Sequence, residues 1–158
     1  MDEVTGQMEL DASARSIIDA NQYMTLATAD SEGRPWACPV WFAHDDYTDF
    51  IWVSRPETLH THNLLARPEV GIVIFDSTRP PSSTQAVYIS AQAEELTGQE
   101  RELGIVAFSR RSQANGLREW RLSDVTGPAS HRLYRARALE QSLLQPGDQR
   151  VTVSPGDQ

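Results

Sequence analysis

Four histidines, one cysteine and fourteen basic side chains carry the widest chemistry in this chain, and their spacing excludes more than it allows. Among His44, His60, His62 and His131 the only close pair is His60 and His62, two residues apart. A helical zinc pair needs i, i+4 spacing, so no metal site is expected. Cys38 stands alone in the strand-like run WACPVWF, which rules out an internal disulfide and a multi-cysteine cluster. No histidine and acid share a motif with it, and it reads as a buried, inert thiol. Every basic residue is arginine, so lysine chemistry, including a Schiff base, is excluded. The all-arginine set fits a GC-rich bacterial coding sequence. Arg110 and Arg111 form either an anion site or a solvated pair favoured by a helix C-terminus. No residue is nominated as catalytic.

The charge balance narrows the partners. A net charge of −8 disfavours binding to a nucleic-acid backbone, which needs clustered basic groups. No apolar run approaches the roughly 18 residues of a membrane span. The acidic start MDEVTGQMELDA has neither the basic nor the apolar region of a secretory signal, so a cytoplasmic location is expected. The length allows one domain with a real core, whereas two would each be marginal.

The elements that must position the polar residues follow from periodicity. Residues 1–9 show no pattern and read as a flexible tail, leaving a single domain over 10–158. A helix capped by Asp11 or Ser13 carries Ala14, Ile17, Ile18 and Tyr23 at roughly helical spacing and ends near Asn21. Residues 24–29 alternate as a strand, and 30–33 turn. Residues 36–43 form a second strand with Pro39 inside it, marking an edge, a bulge or an exit from the sheet. Its partner in a hairpin is 50–54. Residues 57–66 make a short helix with Leu59, Leu64 and Leu65, and Pro68 stops it. The apolar run 70–75 reads as a buried central strand. Residues 86–96 form another strand, and 99–113 form a helix with Leu103, Val106 and Ala107 on one side. Residues 114–129 look irregular. Residues 131–144 favour a strand, although 135–144 could pass for a helix by propensity, and 150–153 is the last strand. The total is six or seven largely antiparallel strands with three peripheral helices, a mainly β fold that favours a barrel over a doubly wound sheet.

The ordered set Met24-Thr25-Leu26-Ala27-Thr28, Gly33-Arg34-Pro35, Pro39-Val40-Trp41-Phe42 and Ile51-Trp52-Val53-Ser54 resembles the FMN-binding split-barrel proteins related to pyridoxamine 5'-phosphate oxidase. Thr58 to Val70 matches the family's continuation in spacing, and Arg132-Leu133-Tyr134-Arg135-Ala136 resembles its closing strand. The likeness covers roughly residues 12 to 153. It implies a split β-barrel that binds FMN, or a related deazaflavin coenzyme, at a homodimer interface and acts as an oxidoreductase on a small molecule.

By the same resemblance the flavin ring lies along Pro39, Val40 and Trp41, flanked by Trp52, Val53 and Ser54. The residues alone also allow Trp41 and Trp52 to be a cross-strand pair in the core. Thr58 and His60 stand where the family has Ser-x-Lys for the cofactor phosphate, so the hydroxyl survives and the permanent cation does not. A phosphate dianion would favour the charged imidazole. Asn63 could join that network, Gln85 could reach the ring from a partner subunit, and Arg135 is a further candidate. Cys38 replaces an arginine of the pyridoxamine-phosphate oxidases themselves, which argues against that reaction. The alternative is a non-catalytic flavin, deazaflavin or haem binder on the same barrel, with His44, His62 or His131 as axial ligand.

Overall fold

The computed structural model describes residues 3–156. All eight strands join one sheet in which every pairing is antiparallel: β1 (Tyr23–Ala29), β2 (Pro35–Trp41), β3 (Ala43–Asp45), β4 (Asp49–Ser54), β5 (Glu69–Phe75), β6 (Ala86–Glu95), β7 (Arg132–Gln145) and β8 (Gln149–Val153). Their order is β2-β1-β5-β6-β7-β4-β3, with β8 on β7. Three helices accompany them, α1 (Glu3–Ala20), α2 (Leu59–Ala66) and α3 (Gly98–Ala114). This is the expected split barrel, mainly β and antiparallel, with one strand more than expected.

The extra strand comes from a break at Phe42. The expected strand over 36–43 is two pieces: β2 runs against β1, Thr25 opposite Pro39, and the Phe42 N–H then donates to the Gln22 carbonyl. After that break the chain pairs as β3 with β4. The expected hairpin is therefore β3–β4, and β2 is a terminal strand, where a proline is tolerated. The run 135–144 is strand throughout, held between β6 and β8.

Two apolar clusters occupy the two faces of β4 and β7. The larger lies inside the barrel and unites Ile17 and Ile18 of α1 with Met24, Leu26, Phe50, Trp52, Ile72, Val87 and Tyr134. The smaller holds α3 against the other face through Ala43, Ile51, Leu96, Ile105, Phe108, Val125 and Leu133. Gly104 permits that close approach, since a Cβ there would stand 2.8 Å from Leu96 Cδ1.

Five expectations are corrected. The segment read as a tail is helical from Glu3, and Met1 and Asp2 lie outside the described residues. Asp11 is buried within α1 and is not its cap: its Oδ1 accepts from Gln7 Nε2 and from the Ser154 N–H at 2.9 Å each. Strand β5 is central but covered on one face only, with Val70, Ile72 and Ile74 buried and Phe75 exposed. The inward side of α3 is Gly104, Ile105, Phe108, Ser109 and Ser112, while Leu103 and Val106 face outward. Likewise α2 exposes Leu59 and Leu65 and buries His60, Thr61, Asn63 and Leu64. No described helix is long and apolar enough to cross a membrane.

Candidate functional site

His60, on the inward side of α2, opens onto a cavity of about 530 Å³. Pro39, Val40 and Trp41 of β2 form one side of it, and Val53 and Ser54 at the end of β4 form another. His60 supplies the polar corner, while α3 contributes Phe108 and Ser112. Six of the ten residues selected from the sequence therefore share one cavity.

The remaining four lie elsewhere. Trp52 is fully buried in the barrel, stacked on Tyr134 with centroids 5.9 Å apart. Neighbouring residues of a strand project to opposite faces, so Trp52 cannot accompany Val53 into the cavity. Trp41 and Trp52 are not a cross-strand pair either, because Trp41 packs on Phe108 at 5.3 Å in the other cluster. Thr58 stands behind His60, with its Oγ1 3.3 Å from Nε2. Asn63 is buried and donates to Thr28 Oγ1 at 3.1 Å, which ties α2 to β1. Gln85 lies beside α1, in clefts with Ser13, Ile17 and Leu143.

Other candidates have structural partners. Arg135 is buried on β7 with the carboxylates of Glu94 and Glu100. Arg111 donates to the carbonyls of Asp19 and Asn21 at 3.3 Å. His44 Nδ1 accepts from the Tyr47 N–H, and its Nε2 meets Asp19 Oδ1 at 3.0 Å. His62 is exposed. Of the histidines considered as axial ligands, His131 alone lines the cavity, with Ser130 Oγ 3.0 Å from its Nδ1.

One wall was missed in the sequence. Trp41, Phe108 and Trp120 meet edge to face, the second contact at 5.4 Å, and the Arg118 guanidinium lies 4.2 Å above the Trp120 ring. Arg118 is held in turn by Asp124 at 2.8 Å. Ser112 Oγ donates to the Arg118 carbonyl and Ser109 Oγ accepts the Trp120 N–H, which fastens residues 118–120 to α3. The only signal was an aromatic between two arginines in a stretch without periodicity.

At the polar corner Ser54 Oγ lies 2.8 Å from His60 Nε2. Thr58 Oγ1 donates toward Thr61 Oγ1 at 2.8 Å and the Arg55 carbonyl at 3.0 Å. The Thr58 hydrogen is thereby committed, and its oxygen can accept from a protonated Nε2. Burial pushes the His60 imidazole below its ordinary 6.5. Between that lowered value and 6.5 the unfolded chain binds more protons than the folded one. The stability due to this effect is complete above about pH 6.5 and is lost as the pH falls through the folded value. Thermal melts between about pH 8 and pH 5 should show a decline that is shallower in His60→Gln; equal slopes would contradict the burial of this ring.

Comparison with known proteins agrees with the fold. The family model for pyridoxamine 5'-phosphate oxidase matches residues 10–142. None of the curated proteins matches the sequence. Among solved structures, a haem-binding protein from Mycobacterium smegmatis superimposes with a TM-score of 0.73 at 19% identity, over 92% of this chain and 58% of its own. The haem storage protein HutZ from Vibrio cholerae gives 0.65 at 20% identity, over 85% and 92%. An FAD-binding protein from Mesorhizobium loti gives 0.61 at 19%, over 84% and 91%. The chain thus spans 58% of the length of the Mycobacterium protein. At these identities the likeness is one of fold.

Proposed function

The chain belongs to the pyridoxamine 5'-phosphate oxidase family, and on that premise we propose that it is a flavin-dependent oxidoreductase acting on a small molecule. The observation that carries this reading is the convergence of Pro39, Val40, Trp41, Val53, Ser54 and His60 on one aromatic-walled cavity. The donor set fits FMN or a deazaflavin coenzyme, with a slot beside a strand edge for the ring and the Ser54 hydroxyl with the His60 imidazole for the phosphate.

A bound flavin supplies the electron or hydride transfer, while the protein orients it and excludes water. Strand β2 pairs with β1 alone, so the peptide groups along its other edge can meet the polar rim of the ring. The Trp41, Phe108 and Trp120 wall closes the apolar side. Ser54 and His60 would hold the phosphate end, with Thr58 supporting His60 from behind. A homodimer belongs to the same proposal. The uncovered face of β1, β2 and β5 presents Thr25, Ala27, Ala37, Gly71 and Val73, with Glu69 the charge at the end of β5, a surface suited to a second copy. Gln85, which lies in clefts beside α1, would join this cavity only if a partner subunit brings it there.

The Thr58→Ala/His60→Ala double variant tests the assignment. It should bind FMN at least about tenfold more weakly, the loss of roughly 1.4 kcal/mol, and bind riboflavin almost as the parent does. Unchanged FMN affinity would sink the phosphate assignment. A second reading, haem binding, is favoured by His131 in the same cavity, whose imidazole could serve as an axial ligand.

A further inference from the structure

We infer that the aromatic side of the cavity sets the substrate class: an uncharged, flat aromatic molecule, bound against Trp120 and selected for neutrality by the Arg118–Asp124 pair. The inference rests on the flavin reading given above, because the substrate has to share this cavity with the cofactor.

Trp41 and Trp120 both meet Phe108 edge to face, at interplanar angles of 83° and 81°. Among the described residues no ring contact joins the two indoles to each other. All three rings line the cavity, with Phe108 between two indole flanks. The flanks differ in what they have left to offer. Trp41 Nε1 donates to Gln22 Oε1 at 3.0 Å, whereas the Trp120 indole N–H has no partner among the described residues. Trp120 therefore provides a π surface and a spare donor, which suits a flat ring that carries a carbonyl or similar acceptor. Bonds from Ser112 and to Ser109 already hold residues 118–120 on α3, so little ordering is left to the moment of binding. Tyr23 and Leu117 line the cavity while more than half exposed, and they mark its mouth.

The charges around this wall decide what enters. No carboxylate lines the cavity, and of its lining residues Arg118 alone is permanently charged. That guanidinium is already engaged: it lies 4.2 Å from the Trp120 ring centroid, and its Nη2 is 2.8 Å from Asp124 Oδ2. Hydrogen bonds from the Arg121 N–H and from Arg118 hold the Asp124 carboxyl below the usual carboxylate range, so the pair stays ionised at neutral pH. A cationic substrate would shed water with no carboxylate to replace it. An anionic one would meet a guanidinium whose charge Asp124 has compensated. A neutral ring loses least on entry and gains the contact with the indole.

The test titrates the full chain, preloaded with FMN, by calorimetry. Four probes are used: naphthalene carboxamide, naphthoate, naphthylmethylammonium and cyclohexane carboxamide. Naphthalene carboxamide should bind at least about tenfold more tightly than either charged analogue, and than cyclohexane carboxamide, which lacks the flat ring. Asp124→Asn frees the guanidinium and keeps an oxygen for the Arg121 N–H. It should raise naphthoate relative to the carboxamide by about tenfold. Trp120→Ala should weaken naphthalene carboxamide by about tenfold and FMN by much less, and Trp120→Phe should restore most of the loss. Equal affinity for the three naphthalenes, or no binding of any, would overturn the inference while the flavin reading stands. So would an FMN loss in Trp120→Ala as large as the carboxamide loss, because the flavin ring would then occupy that wall. An unchanged naphthoate affinity in Asp124→Asn would overturn the role of the pair. A parent that takes up no FMN yet prefers naphthalene carboxamide, through Trp120, would overturn the flavin reading alone.

Discussion

Replacing Trp52 with alanine should cost about 3–5 kcal/mol of folding stability, the range for truncating a buried aromatic side chain. That is a large share of the roughly 5–15 kcal/mol by which domains are stable. The indole is completely buried inside the barrel beside its cross-strand partner Tyr134, and it does not line the cavity. Its loss leaves a hole at the centre of the barrel that the strands on both sides cannot close. Trp41→Ala should cost clearly less, because that ring is half-exposed and already borders open space. The ligand should register the opposite order: Trp41→Ala weakens flavin binding, whereas whatever Trp52→Ala protein remains folded binds normally. Urea unfolding and flavin titration of both variants check this. A Trp52→Ala cost under about 1 kcal/mol would contradict the placement of Trp52 in the core.

Val53→Trp should abolish most of the flavin uptake while leaving the fold intact. Val53 is half-buried and lines the cavity, so a large ring at this position occupies the space assigned to the flavin. Overpacking costs about 1–3 kcal/mol of stability, which is tolerable where there is empty volume to expand into. Binding should fall by about a hundredfold, equivalent to roughly 2.8 kcal/mol. Val53→Ala is the control: it widens the same space and should retain the ligand. Parent-like flavin affinity in a folded Val53→Trp protein would place the ring elsewhere.

These two neighbours show what could be read from the sequence and what could not. The strand over 50–54 was evident from its composition, and its two-residue period required Trp52 and Val53 to face opposite ways. Only packing decides which of them meets the core, and here two apolar clusters claim the two faces of β4. Pro39 marked an edge, a bulge or an exit from the sheet, yet the break at Phe42 that sends the chain to β4 depends on a bond to the Gln22 carbonyl, a contact with no local signature. The start of α1 was unreadable for a similar reason. Gln7 donates to the Thr152 carbonyl and Asp11 accepts from the Ser154 N–H, both near the far end of the chain.

The site was legible where it lies on regular strands and obscure where it lies on loops. Pro39, Val40, Trp41, Val53, Ser54 and His60 were selected by an ordered pattern and converge on one cavity. Phe108, Arg118, Trp120 and His131 were not selected as a wall of that site, because α3 turns its less apolar-looking side inward and residues 117–120 have no period. That wall gives the cavity its aromatic side and its second histidine, and so bears most directly on the choice between flavin and haem.

The absorption spectrum of the purified protein, titrated separately with FMN, a deazaflavin coenzyme and haemin, tests the central claim. The account predicts flavin or deazaflavin bands that saturate near one equivalent per chain and are lost in Val53→Trp. A haem Soret band saturating at that stoichiometry, with no uptake of either flavin, would contradict it.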